Sequence, residues 1–133
     1  MLLLDTHALI WLVEGDRALG RRTARLAERS LVRDELGVAS ISFWEIGMLA
    51  ARDRIALDMP VAEWRLRVLG LGIHELPLTG DAALAAAILP GFHPDPADRL
   101  IVATALSSSA GLATADDRIL RWQGTLVRHD ARR

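Results

Sequence analysis

Four acidic residues stand where predicted strands give way to helices. Asp5 follows an all-apolar strand, and Asp116 directly follows a second apolar segment near the end of the chain. Glu45 and Asp98 fall in the first turns of two predicted helices. The carboxyl ends of parallel strands meet at one edge of a sheet, so we expect all four carboxylates to converge there. Oxygen ligands of this kind suit Mg²⁺ or Mn²⁺, and the pattern therefore predicts a metal centre.

Such a cluster has a defined chemistry. Carboxylates held within a few ångströms repel one another, which raises the pKa of some of them until a dication relieves the repulsion. A dication in this position can orient water for attack on a phosphodiester and stabilise the leaving oxygen. The four acids thus predict a metal-dependent nuclease.

Helix capping is an alternative explanation for three of the acids. Ser42 and Glu45 have the spacing of a capping box, in which the serine caps the helix and the glutamate returns the hydrogen bond. Asp95 can cap the helix that contains Asp98, with a proline between them at the first helical position. Asp116 can cap a short helix. Capping does not explain the acid after the first strand, nor why all four should share one edge.

The amino-acid composition excludes several classes of protein. The 133 residues are 51% hydrophobic and carry a formal net charge of −1, which predicts one globular domain over residues 1–133 and argues against a generally basic nucleic-acid binder. All 16 cationic residues are arginine, which excludes a Schiff-base or P-loop lysine. Cysteine is absent, and no apolar run approaches the roughly 20 residues that span a bilayer. We therefore expect a cytoplasmic protein with no membrane contact.

The predicted strands alternate with helices, which favours an α/β fold: a three-layer α/β/α sandwich around a mostly parallel central sheet. Strands are predicted at residues 2–4, 37–39, 73–76, 111–113 and 125–127, and helices at 8–12, 19–31, 42–50, from 60 onward, 82–89, 96–106 and, briefly, from 116.

Four segments resemble, in order, the motifs of PIN-domain ribonucleases, and most closely those of the VapC toxins of bacterial toxin–antitoxin pairs. They are Leu2–His7, Ser40–Ile46, His93–Ile101 and Leu112–Asp116. The resemblance implies a PIN domain and magnesium- or manganese-dependent cleavage of RNA. It also implies a homodimer that a small VapB-type antitoxin inhibits. It assigns the four acids as metal ligands, with Thr6 and Thr114 as supporting neighbours.

The chain also departs from the pattern of these relatives. Ala97 stands where many relatives have an aromatic residue, and Leu49 stands near the place of a lysine. If that lysine contacts RNA in relatives, Arg52 or Arg54 must replace it here.

Several assignments stay open at this point. Asp117 is an alternative to Asp116 as the fourth ligand, although motif position favours Asp116. Arg99 is expected either to contact a phosphate or to pair with a carboxylate. The histidines at 74, 93 and 129 show no ligand spacing, so a zinc site is not expected. The four tryptophans are expected in the core or at a dimer contact, with base stacking as the alternative.

Three other functions compete with a toxin nuclease. One is a stand-alone RNA-processing nuclease of the same family, and another is an RNA-binding module without activity. An aspartyl-phosphate phosphatase or receiver domain is disfavoured, because the chain has Asp5-Thr6-His7 in place of Asp-x-Asp and has no lysine.

Overall fold

A five-stranded parallel sheet forms the centre of the molecule, and the computed structural model describes residues 1–133. The strand order is β3-β2-β1-β4-β5. In β1 all three leucines are buried, as expected for a central strand covered on both faces. Leu4 lies opposite Val38 on one side and Ala113 on the other, so the carboxyl ends of β1, β2 and β4 are level. The strands are β1 (Leu2–Leu4), β2 (Leu36–Ala39), β3 (His74–Leu76), β4 (Gly111–Thr114) and β5 (Arg128–Asp130).

Seven helices connect and cover these strands. On one face of the sheet, side chains from α1, α2 and α4 form a core with Leu2 and Leu4. On the other face, Leu3 packs with side chains from α6 and α7, and α5 packs on α6. None of the helices is both long enough and apolar enough to cross a membrane. The helices are α1 (Thr6–Glu14), α2 (Arg21–Val32), α3 (Ile41–Ala51), α4 (Val61–Gly70), α5 (Gly80–Ala87), α6 (Pro96–Ser107) and α7 (Asp117–Leu120).

The chain reverses its direction across the sheet beside β1. From β1 it runs outward to β2 and β3, and it then returns to β4 on the opposite side of β1. Neighbouring strands whose connections leave in opposite directions open a crevice at their carboxyl ends, where ligands bind in open α/β sheets. Here that crevice lies between Asp5, which follows β1, and the segment that follows β4.

The predicted three-layer α/β fold with a parallel sheet is confirmed, and two element boundaries are corrected. The last strand is Arg128–Asp130, and the prediction of a strand at residues 125–127 was wrong. That apolar segment is a loop whose Leu126 side chain is buried in the core. The strand itself lies at the sheet edge and is half-exposed. Polar residues are therefore tolerated in it, and an apolar pattern does not reveal it. The helix predicted at 82–89 runs from Gly80 to Ala87.

Candidate metal centre

The crevice contains a cavity of about 350 Å³ that the four predicted acids line together. They come from four separate elements, which the level carboxyl ends of the strands bring to one place. A fifth carboxylate, Asp95, also lines the cavity, whereas Asp117 does not. The lining residues are Asp5, Thr6, His7, Trp11, Glu45, Asp95, Asp98, Ile101, Ala115, Asp116 and Arg118.

Asp5 is held at the floor of the cavity by two hydrogen bonds. Its Oδ1 accepts from the Ala8 backbone N–H at 2.8 Å, and its Oδ2 accepts from the Thr114 hydroxyl at 2.5 Å. Burial raises the pKa of Asp5, and these two hydrogen bonds oppose that rise. Asp5 is thus the N-cap of α1, and the statement that capping does not explain it was wrong. The helix begins at Thr6, directly after the strand, and not at residue 8.

Glu45 is oriented by the hydroxyl group of Thr6. Thr6 donates to the Glu45 carboxylate, and its oxygen lies 3.1 Å from the Ser42 hydroxyl. Because α3 begins at Ile41, Ser42 lies inside the helix and its side chain is fully buried. The capping-box interpretation of Ser42 and Glu45 was therefore wrong. Both side chains face Thr6, which joins α3 to the end of β1.

The carboxylate of Asp98 faces the cavity and has a strongly raised pKa. The predicted cap is confirmed, since Asp95 Oδ1 accepts from the Asp98 backbone N–H at 3.1 Å. That cap leaves the Asp98 carboxylate free to face the cavity. Burial, together with the negative charges of Asp95, Asp116 and Glu45, raises the pKa of Asp98 to about 7. A carboxyl with this pKa binds a proton or a metal cation readily at neutral pH.

Asp116 caps α7 and is paired with an arginine. Its Oδ1 accepts from the Arg118 backbone N–H at 2.8 Å, and its Oδ2 accepts from the Arg118 guanidinium at 3.0 Å. Burial opposes ionisation of Asp116, but the hydrogen bonds from Arg118 prevail and lower its pKa. Asp117 points elsewhere, pairing with Arg132 at 2.8 Å and more loosely with Arg121. The geometry favours Asp116 over Asp117 as a cavity ligand.

His93 is a member of the cluster that the sequence did not reveal. One ligand atom from each of His93, Asp98 and Asp116 lies within 4.8 Å of the other two, and Asp5 and Glu45 stand outside this group of three. The Asp95 backbone N–H donates to His93 Nδ1 at 3.4 Å, which places the proton of a neutral ring on Nε2. In the sequence, its role was indicated only by its position two residues before Asp95, the residue that caps the helix containing Asp98.

Arg99 takes neither of its two expected roles. Its guanidinium donates to backbone carbonyls only, and it lies outside the cavity lining. The contacts join the end of α5 to the loop before α6, and Arg99 therefore holds this part of the backbone together. The five accepting carbonyls belong to Ala86, Ala87, Leu89, Phe92 and His93.

The tryptophans divide between core and surface. Trp64 and Trp122 are buried as expected, and their indole N–H groups donate to Glu14 and to the Pro90 carbonyl. Trp11 is half-buried beside the acidic cavity. Trp44 lies outside the core, with 54% of its surface exposed, which leaves the dimer contact and base stacking open.

The donor set fits a hard dication. Five carboxylates line one cavity, and Arg118 is the only arginine among the lining residues, so the cavity carries excess negative charge. Carboxylate oxygens are the ligands that Mg²⁺ and Mn²⁺ take, together with waters. The raised pKa of Asp98 shows how unfavourable this charge is without a cation. His7 is the one histidine among the lining residues, and the chain has no cysteine.

Comparison with known proteins identifies relatives along nearly the whole chain. A family model of the PIN domain matches residues 2–124. Over 118 residues the chain is 38% identical to Ribonuclease VapC22 of Mycobacterium tuberculosis, a match that covers 88% of each protein.

Solved structures share the fold at lower identity. A toxin–antitoxin complex from Klebsiella pneumoniae superposes with a TM-score of 0.63 at 21% identity over 96% of each chain. VapBC2 of Rickettsia felis, bound to a promoter DNA fragment, gives a TM-score of 0.68 at 12% identity over 96% of each chain. FitAcB of Neisseria gonorrhoeae gives 0.64 at 22% identity over 98% of each chain.

Proposed function

The chain belongs to the PIN-domain family, and from this premise we propose that it is a metal-dependent endoribonuclease, the toxin of a VapBC-type pair. The observation that carries the proposal is the cavity in which the carboxylates of Asp5, Glu45, Asp98 and Asp116 converge. The 38% identity to a ribonuclease over most of both chains supports the same activity. Residues 1–133 act as a single PIN domain in this proposal.

We assign the four carboxylates as the metal ligands. When bound, Mg²⁺ or Mn²⁺ supplies charge stabilisation and orientation of water for attack on a phosphodiester. Thr114 fixes the orientation of Asp5, and Thr6 fixes that of Glu45, so these two ligands are preorganised before any cation arrives. Hydrogen-bonded partners of this kind fix the orientation of ligands that would hold the cation.

Arg118 has a separate part in this mechanism. Its guanidinium lies 3.0 Å from Asp116 Oδ2 and 3.5 Å from Asp98 Oδ2, and more than half of its side chain is exposed. A dication at these carboxylates would displace it, since like charges at such distances repel. Its exposed guanidinium would then be free to bind a phosphate of the RNA.

The partners follow from the relatives. Structures with the same fold are described as toxin–antitoxin complexes, one of them bound to promoter DNA. We propose by analogy that a small VapB-type antitoxin binds this chain and that the chain forms a homodimer. A cytoplasmic location is part of the proposal, because the substrate is RNA.

A stand-alone RNA-processing nuclease is the alternative within the family. A neighbouring short reading frame encoding a DNA-binding protein, whose product co-purifies with the chain and inhibits it, would support the toxin. A catalytically silent RNA-binding module would bind RNA equally well with and without a metal.

An RNA cleavage assay tests both the metal requirement and the assigned ligands, and it compares Asp116 with its neighbour Asp117. Total RNA is incubated with wild type, Asp98→Asn, Asp116→Asn and Asp117→Asn, with Mg²⁺, with Mn²⁺ or with EDTA, and the cleaved ends are mapped. We expect EDTA, Asp98→Asn and Asp116→Asn to abolish cleavage. Asp117→Asn is the matched control and should retain it, because Asp117 pairs with Arg132 outside the cavity.

Two results would contradict the proposal. Cleavage that persists in EDTA would exclude the metal mechanism, and undiminished cleavage by Asp98→Asn would exclude the assigned site. Loss of activity in Asp117→Asn, but not in Asp116→Asn, would reverse the choice of the fourth ligand.

A further inference from the structure

A second cavity, of about 300 Å³, adjoins the acidic one. Glu45 and Asp95 line both cavities, so a polymer that occupies the first can continue into the second. We name the second cavity the Trp44 groove. Its lining residues are Trp44, Glu45, Met48, Leu49, Arg52, Arg54, Asp95, Pro96 and Ala97.

The Trp44 groove presents an aromatic ring to solvent. Trp44 is the one tryptophan of the chain that is exposed, and its indole N–H forms no hydrogen bond. Met48 and Leu49 follow it on α3 and line the same groove. An exposed indole leaves a large apolar face available for contact, whereas Trp64 and Trp122 use theirs in the core.

Two unpaired arginines, Arg52 and Arg54, also line the groove. Arg52 follows the last residue of α3, and Arg54 lies two residues further on. Both are exposed, and neither forms an ion pair or a side-chain hydrogen bond. In contrast, Arg118 is paired with the acids of the neighbouring cavity. The charges of Arg52 and Arg54 are therefore free for an anionic ligand.

We propose that the Trp44 groove binds one nucleotide of single-stranded RNA next to the scissile phosphate. Its base stacks on Trp44, and a flanking phosphate pairs with Arg52 or Arg54. The inference rests on the proposed nuclease function and names its substrate class. A base reaches an indole face only when it is unstacked from its neighbours, which selects single strands, loops and bulges over duplex. An apolar protein segment would use the ring but would leave the two guanidinium groups without a partner.

Binding to a defined RNA tests the groove without cleavage. All variants are made in the Asp98→Asn background with Mg²⁺ present, and the probes are a single-stranded oligouridylate and an RNA duplex. We expect Trp44→Ala to weaken binding of the single strand by about 5- to 100-fold. Trp44→Phe, which keeps an aromatic face, should retain most of the affinity, and duplex binding should be weak throughout.

Fluorescence and salt dependence give two independent readouts. Oligouridylate should quench tryptophan emission, and Trp44→Phe should lose more of this quenching than the matched control Trp11→Phe. Arg52→Ala and Arg54→Ala are measured separately, and the variant that removes the phosphate partner should reduce the slope of log affinity against log salt by about 0.7. Arg33→Ala is the charge control, because Arg33 follows α2 next to the start of β2, at the opposite edge of the sheet.

The failure of this inference differs from failure of the nuclease proposal. If Trp44→Ala binds the single strand with wild-type affinity, the proposal that the Trp44 groove binds RNA is overturned, even if wild type cleaves RNA. If Trp44→Ala changes the oligomeric state but not RNA binding, the groove is a contact between copies of the chain. That result would also overturn the proposal that the groove binds RNA. If wild type cleaves no RNA with any metal, the nuclease proposal fails, while the binding measurements still decide the groove.

Discussion

The Nε2 atom of His93 lies 3.3 Å from Oδ2 of Asp98, yet this buried nitrogen forms no hydrogen bond. Burial, followed by the charge of Arg118, lowers the pKa of His93, so the ring is neutral at physiological pH. The neutral ring carries its proton on the nitrogen that faces Asp98. The two side chains thus lie close together at the candidate metal centre, without a hydrogen bond between them in the metal-free protein.

We expect His93 to position Asp98 for the metal. His93→Met removes the N–H group and should weaken Mn²⁺ binding by about 10-fold or more, the effect typical of groups that orient ligands. His93→Gln can still donate and should recover most of the affinity. Isothermal titration with Mn²⁺ measures both, with His74→Gln as the surface control. Equal losses in the Met and Gln variants would contradict a donor role.

The stability of the metal-free protein should depend on the protonation of Asp98. The carboxyl titrates near 4 in the unfolded chain and at about 7 in the folded one, so the folded state holds the proton more tightly. This contribution falls as pH rises from about 4 to 7 and is constant above that range. Asp98→Asn should lack it and be more stable than wild type at pH 8 by about 1 to 3 kcal/mol.

Urea unfolding in EDTA at several pH values checks this prediction. The quantity to compare is the difference between wild type and Asp98→Asn, because groups that do not interact with Asp98 titrate equally in both proteins. Asp117→Asn serves as the control. A difference that is the same at pH 5 and pH 8 would show that Asp98 is not strongly perturbed.

Metal affinity should fall as pH decreases below about 7. A carboxyl must lose its proton before it binds a cation, and the pKa of Asp98 is about 7 in the metal-free protein. We expect the apparent affinity for Mn²⁺ to drop by up to about tenfold for each pH unit below that value. Titrations between pH 5.5 and 8.5 measure it, and a flat profile over that range would rule out Asp98 as the titrating ligand.

The hydroxyl group of Thr6 should matter more for activity than for folding. Thr6→Val keeps the size of the side chain but leaves the Glu45 carboxylate without its donor. We expect RNA cleavage to fall by about 10- to 100-fold, with a loss in stability of about 1 kcal/mol. Thr6→Ser retains the hydroxyl and should keep near-wild-type cleavage. If Thr6→Val cleaves as well as Thr6→Ser, the hydrogen bond does not orient Glu45.

Arg99 should act on stability and not on RNA binding. Its five N–H groups reach five carbonyls, a geometry that three ammonium donors of a lysine cannot reproduce. We expect Arg99→Lys to lower the free energy of unfolding by about 2 to 3 kcal/mol, with Arg33→Lys unchanged. Well below its melting temperature, Arg99→Lys should show the wild-type salt dependence of RNA binding. A reduced salt slope would instead place Arg99 at the RNA phosphates.

The sequence by itself determined the architecture and the four acids of the site. Apolar triplets such as Leu2–Leu4 are typical of central strands buried on both faces, and the alternation of strands with helices favours a parallel sheet. Once the strands are parallel, acids placed directly after them, such as Asp5 and Asp116, must meet at one edge. Local order along the chain was sufficient for these conclusions, because they depend on strand direction and not on side-chain orientation.

Only the tertiary structure decided which side chains face each other. It placed His93 against Asp98, because Arg99 fixes the loop before α6 by donating hydrogen bonds to backbone carbonyls of that loop. It turned Ser42 inward to meet Thr6, since α3 starts at Ile41, two residues earlier than a Ser42 cap would require. Such contacts depend on where separate elements pack, which spacing along the chain does not encode. For the same reason the sequence could not decide between Asp116 and Asp117. The two are adjacent in the chain, but Asp116 lines the acidic cavity whereas Asp117 pairs with Arg132.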